Sequence, residues 1–120
     1  MSYLIQIPEI SDSRGTLNFI DKLLPFDIRR VFYISDVKKM RGGHRHKKTT
    51  LALICIHGQC LVKIQNLSSK DEVLLNSKNQ CLILDATDWH TMDEFSNEAV
   101  LLVLASEYYD EDDYIYEPYK

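Results

Sequence analysis

Apolar and β-branched residues in this chain come in short runs of four to seven, closed by turn residues, and no long stretch keeps a helical period. That pattern confines the fold to an all-β sandwich or barrel. Strands are expected over residues 4–7, 16–20, 30–34, 45–56, 59–65, 72–75, 80–84, 89–95 and 99–105. Pro8, the turn Asp12-Ser13-Arg14-Gly15, a loop over 38–43, His57-Gly58, and the polar stretches 66–70, 76–79 and 85–88 separate them. There is no repeat, low-complexity segment or linker, and 120 residues make a single domain with room for a proper core.

Composition removes several function classes. A net charge of −4 argues against nucleic-acid or polyanion binding by the molecule as a whole. No apolar stretch approaches a membrane span, and no basic region followed by an apolar run marks a secretory signal. Cys55, Cys60 and Cys81 lie inside apolar runs; an odd number without paired spacing points to buried free thiols in a reducing cytoplasm. Charge is also segregated. Residues 29–48 carry eight Lys or Arg and one acid, whereas residues 107–117 carry six acids and no base. Each block could be a solvated face, but the basic one overlaps a histidine pair and would favour an anionic ligand there. The acidic tail, 106–120, holds five tyrosines, which suit packing on the body or on a partner.

The histidine pair sits in Arg41-Gly42-Gly43-His44-Arg45-His46-Lys47-Lys48. In an extended chain, residues two apart point to one side, roughly 6–7 Å apart along the backbone. His44 and His46 would therefore share one cavity. The spacing fits the first motif of the cupin β-barrel: His-x-His, four residues, a carboxylate position, six residues, Gly. Here the carboxylate position is Leu51 and the glycine is Gly58. Residues 85–90 end in His90, where a second cupin motif would supply a third imidazole. Three imidazoles suit a transition metal, but leucine cannot ligate and would dry the site, which disfavours a metal. The pair can instead exchange protons with a substrate near neutral pH, or simply hydrogen-bond in a barrel mouth. His57 falls at a turn and is structural; Trp89 fits a core position.

The run 41–48 resembles the signature of the nucleoside-diphosphate-sugar 3,4-ketoisomerases, the WxcM-like sugar cupins. Residues 12–17 (DSRGTL), 30–34 (RVFYI), 88–92 (DWHTM) and 103–114 (VLASEYYDEDDY) match in the same order. Leu51 departs from a position that is polar in many relatives, and the chain stops soon after Tyr114. The resemblance implies an all-β cupin or jelly-roll barrel that moves the ketone of a dTDP-4-keto-6-deoxyhexose from C4 to C3, without metal or redox cofactor. It implies a cytoplasmic homodimer with exchanged N-terminal strands, serving 3-amino-sugar synthesis for surface glycans. It makes His44 and His46 the catalytic pair and Tyr33 a donor or proton shuttle near the sugar. Arg14 and Arg41 become candidates for the diphosphate, a guanidinium being suited to bidentate phosphate recognition, and His90 and Asp93 candidates for the sugar. The rivals are a 3- or 5-epimerase of the same fold, a metal cupin such as a dioxygenase, and a non-catalytic sugar-nucleotide sensor.

Overall fold

The computed structural model describes residues 2–120, and these form two facing antiparallel sheets. One has the order β1 (Tyr3–Gln6), β9 (Gln80–Leu84), β6 (Leu51–His57), β11 (Val100–Ala105), β4 (Arg30–Ile34). The other runs β12 (Tyr114–Ile115), β5 (Arg41–His46), β10 (Trp89–Asp93), β7 (Cys60–Gln65), β8 (Lys70–Leu75). A separate hairpin joins β2 (Glu9–Asp12) to β3 (Gly15–Asn18). The expected all-β jelly-roll architecture is what the chain adopts, with a single 3₁₀ turn (Glu111–Asp113) as its only helical element among the described residues. Among those residues no helix is long and apolar enough to cross a membrane.

Period-two alternation sets the core. From β6, Leu51, Leu53 and Cys55 point between the sheets to meet Val62, Ile64, Leu82, Leu84 and Val103. Ala52 and Ile54 point the other way and join Ile7, Cys81, Ile83 and Leu104 in a second cluster on the outer face. Both faces of this strand are dry, which is why its sequence is continuously apolar rather than alternating. Each fully buried Leu contributes about 1.5–3 kcal/mol, and Leu53, Leu82 and Leu101 are completely enclosed. The three cysteines are buried and unbridged.

Several boundaries differ from the sequence expectation. The single strand expected over 45–56 is two strands in opposite sheets: β5 ends at His46 and β6 begins at Leu51. Residues 47–50 make the crossing because the backbone N–H groups of Lys47 and Lys48 and the hydroxyl of Thr49 all donate to the distant Asp113. The expected loop 38–43 already contains the start of β5, with Gly42 and Gly43 at φ of +84° and +81°. Strands β2 and β12 were not expected, and β10 stops at Asp93, just before Glu94 at φ 51°.

Candidate active site

A cavity of about 250 Å³ opens between the sheets, and β5 and β10 carry the imidazoles that line it. His44 and His46 point the same way from β5, with ring centroids 5.1 Å apart. His90 on β10 lies opposite His44 in register, its ring 4.9 Å from that of His44. The close approach of the two strands depends on Gly42. A Cβ there would sit 2.8 Å from the His90 carbonyl oxygen, and its φ of +84° is one that L side chains rarely adopt. The Leu51 and Leu53 side chains close the inner end of the cavity, and Arg41 stands at its exposed rim.

The tail completes the site. Asp113, at the end of the 3₁₀ turn, is buried. Its Oδ2 lies 2.8 Å from His46 Nδ1 and also accepts from the Thr49 hydroxyl, while Oδ1 accepts from the N–H groups of Lys47 at 3.1 Å and Lys48 at 2.8 Å. Burial pushes the Asp113 carboxyl up, but the donors from Thr49, Lys48 and His46 together outweigh it and hold the group below its ordinary range. A carboxylate only accepts, so His46 carries its proton on Nδ1 and a lone pair on Nε2. That Nε2 is buried and has no partner. Tyr114, paired with His46 across β12 and β5, places its ring 4.7 Å from both His44 and His46. Tyr109 and Tyr116 also line the cavity. The tail is pinned by the Trp89 indole donating to the Tyr116 carbonyl, the Tyr119 hydroxyl donating to the Thr87 carbonyl, and the Arg45 guanidinium 4.5 Å from the Tyr119 ring.

All three imidazoles are held neutral at pH 7. Burial, then the neighbouring His46, lowers His44 to about 4, against a hydrogen bond with the Gly42 backbone. Burial, then His44, lowers His90 to about 3, although the Asp88 carbonyl accepts from its Nδ1 at 3.1 Å. Burial also lowers His46, with Asp113 opposing. The cluster thus presents proton acceptors in a dry pocket. The His44 ring stands at 85° to that of His46 and 73° to that of His90. Among the described residues no three His, Cys, Asp or Glu side chains are arranged to hold a metal ion.

The residues singled out in the sequence divide sharply. His44, His46, His90 and Arg41 line the cavity. Tyr33 does not: on β4, Arg30, Phe32 and Ile34 face inward, so Tyr33 faces out and is 71% exposed. Asp93 lies outside the cavity at the end of β10, where its carboxylate caps the Glu94 N–H at 2.8 Å. Arg14 sits at the β2–β3 turn, its side chain 88% exposed and paired with Asp12 at 2.6 Å, away from the imidazoles. Trp89 is half-buried on the outer face of its sheet rather than in the core. Missed in the sequence were Asp113, Thr49, Arg30 and the three cavity tyrosines. The one available signal was the concentration of acids and tyrosines in the tail opposite a basic block. Arg29 with Glu107 and Lys48 with Asp110 now pair those two segments.

A two-sheet antiparallel barrel with an imidazole-lined cavity at one end defines a cupin-type protein built to hold a small molecule. Residues 1–120 match the family model described as "FdtA: WxcM-like, C-terminal", and the chain belongs to that family. It is 43% identical over 116 residues to the TDP-4-oxo-6-deoxy-alpha-D-glucose-3,4-oxoisomerase of Aneurinibacillus thermoaerophilus, covering 93% of this chain and 84% of that protein. It resembles the crystal structure of a histidine-to-asparagine mutant of QdtA, a 3,4-ketoisomerase from Thermoanaerobacterium thermosaccharolyticum, in complex with TDP-4-keto-6-deoxyglucose. The TM-score is 0.92 at 39% identity, covering 97% of this chain and 87% of that one. A 3,4-ketoisomerase from Helicobacter canadensis matches with TM-score 0.92 at 34% identity, over 97% and 90% of the two chains.

Proposed function

We propose that the protein is a sugar-nucleotide 3,4-ketoisomerase that converts a dTDP-4-keto-6-deoxyhexose into its 3-keto isomer. The observation that carries the reading is the pair of neutral imidazoles, His44 and His46, facing one small cavity, one of them with a buried, unpartnered Nε2. The C4 ketone acidifies the hydrogen on C3. One imidazole takes that proton, and the electron pair forms a C3–C4 double bond with the charge on the former ketone oxygen. The C3 hydroxyl proton moves to that oxygen, and the imidazole pair, now holding the proton taken from C3, delivers a proton to C4 as the C3 oxygen becomes the ketone. The sugar is its own oxidant and reductant, so no external redox partner enters the balance. Positioned acid–base groups of this kind supply about 10²–10⁴ in rate. His90 and Tyr114 wall the imidazoles in, and Arg41 at the rim faces the diphosphate.

The same reading makes the protein a cytoplasmic homodimer with exchanged N-terminal strands, supplying 3-keto sugars for amination and surface-glycan assembly. In support, the β2–β3 hairpin belongs to neither main sheet and leaves Ile10 and Leu17 exposed. An apolar groove of about 540 Å³ runs along the outer face of the first sheet, past Ile54, Ile56, Leu102 and Leu104. A second copy seated there would cover the exposed Leu17 and Ile56. Light scattering that gives a monomer at micromolar concentration would refute the dimer. For the activity, H44N and H46N are each expected to abolish ketone migration while leaving the fold intact by circular dichroism. Near-normal turnover in both would sink the proposal.

A further inference from the structure

The isomerisation needs a base, an acid and a donor to the oxygen that becomes negative. The imidazoles fill the first two roles, but Tyr33, the tyrosine expected as donor, faces away from the cavity. Arg30 enters the cavity from β4, on the sheet opposite the imidazoles. Its guanidinium carbon lies 5.2 Å from the centre of the Phe32 ring and 5.6 Å from that of Tyr109. Its Nε is buried and has no hydrogen-bond partner, and no carboxylate among the described residues forms an ion pair with it. Aromatic faces steady a guanidinium without pairing it, so Arg30 stands at the cavity wall with donor capacity that no protein group uses. The cation is close enough to His46 to help depress that imidazole. A half-buried cation with an unused donor, steadied before the substrate arrives, has the character of a preorganised oxyanion site.

We infer that Arg30 is a catalytic residue: it donates a hydrogen bond to the C4 oxygen of the keto sugar as the enediolate forms. The inference rests on the ketoisomerase reading. When the C3 proton leaves, the C3–H electron pair becomes the new double bond and the carbonyl π pair moves onto oxygen. Arg30 stabilises that charge and transfers no proton: the C3 hydroxyl proton moves to the C4 oxygen, the charge passes to the C3 oxygen, and it is discharged as C4 takes a proton and the C3 oxygen becomes the ketone. The diphosphate is a second anionic source for the same contact, but it is met at the rim, where Arg41 is exposed.

The test compares R30M and R30K with the wild type in two assays: NMR turnover of TDP-4-keto-6-deoxyglucose and calorimetric binding of TDP. Removing one oxyanion donor typically lowers kcat about 10²–10³-fold, and that loss is expected for R30M, with TDP affinity within about threefold of wild type. R30K keeps the charge but not the planar fork. A kcat loss of at least about tenfold is expected from it, and it carries the test if R30M does not fold. Turnover within about threefold of wild type in the folded variants would overturn the inference. So would a tenfold or greater loss of TDP affinity, which assigns the guanidinium to the diphosphate. A wild-type protein that leaves the sugar unchanged removes the ketoisomerase reading itself, and the inference with it; full wild-type turnover beside a fully active R30M removes the Arg30 inference alone.

Discussion

Replacing Asp113 by Asn keeps the shape of a buried side chain and changes what it can exchange with His46. The two backbone N–H groups of Lys47 and Lys48 hold Oδ1, so the carbonyl oxygen of the new amide stays there. The NH₂ group then takes the place of Oδ2, facing His46 Nδ1 and the Thr49 hydroxyl. Thr49 can turn its hydroxyl to accept. His46 can accept only by moving its own proton to Nε2, which fills the lone pair that faces the cavity. An imidazole locked in the wrong tautomer loses about 10²–10⁴ in rate as a proton acceptor. Hydrogen bonds to a charged group contribute about 1.5–3 kcal/mol each and neutral ones about 1 kcal/mol. Downgrading two of them lowers stability by about 2–3 kcal/mol, a drop in Tm on the order of 10 °C for a chain of this size. Turnover followed by NMR, thermal unfolding by circular dichroism and ¹⁵N long-range correlation of the His46 ring read the three consequences. The reasoning fails if D113N keeps kcat within about threefold of wild type, or if the His46 ring still carries its proton on Nδ1.

Acid is expected to weaken the fold well above the carboxylate range. His44 and His90 titrate at about 4 and about 3 in the folded protein, and His46 is also depressed, against about 6.5 in the unfolded chain. Between these limits the unfolded chain binds more protons, so the stabilisation is complete above about pH 6.5 and is lost as pH falls toward 4. The loss is on the order of a few kcal/mol, readable as a falling urea midpoint between pH 7 and pH 5; a flat midpoint across that range contradicts the assigned burial. Gly42→Ala is expected to cost ~2 kcal/mol or more, from its left-handed φ together with the contact at the His90 carbonyl oxygen. An unchanged Tm in that variant would mean β5 and β10 are not packed as described.

The sheets were legible because a period of two survives translation into a strand whatever its partners are. Residues 51–56 and 99–105 announced a core on apolarity alone. The His44–His46 face was legible for the same reason, being local to one strand. What failed depends on contacts far along the chain. The crossing at residues 47–50 exists because Asp113 collects their donors, and nothing near Lys47 reveals an acid more than sixty residues away. Asp113 itself stood inside a run of acids that looks uniformly solvated, yet it is 3% exposed while its neighbours Glu111 and Asp112 lie in solvent. Tyr33 was credited through the resemblance; successive side chains of a strand point to opposite faces, and on β4 it is Phe32 that faces the cavity. Arg14 and Asp93 were credited through the motifs around them, and within one chain neither reaches the imidazoles.

The most direct test of the proton-transfer account is to incubate the protein with TDP-4-keto-6-deoxyglucose in deuterated water and follow the sugar by ¹H and ¹³C NMR. The expected result is migration of the carbonyl carbon signal from C4 to C3, with solvent deuterium at the newly formed C4–H. Washout of the C3 hydrogen with the ketone still at C4 would make the protein an epimerase. A sugar that binds and remains untouched would make it a sensor, and either result contradicts the account.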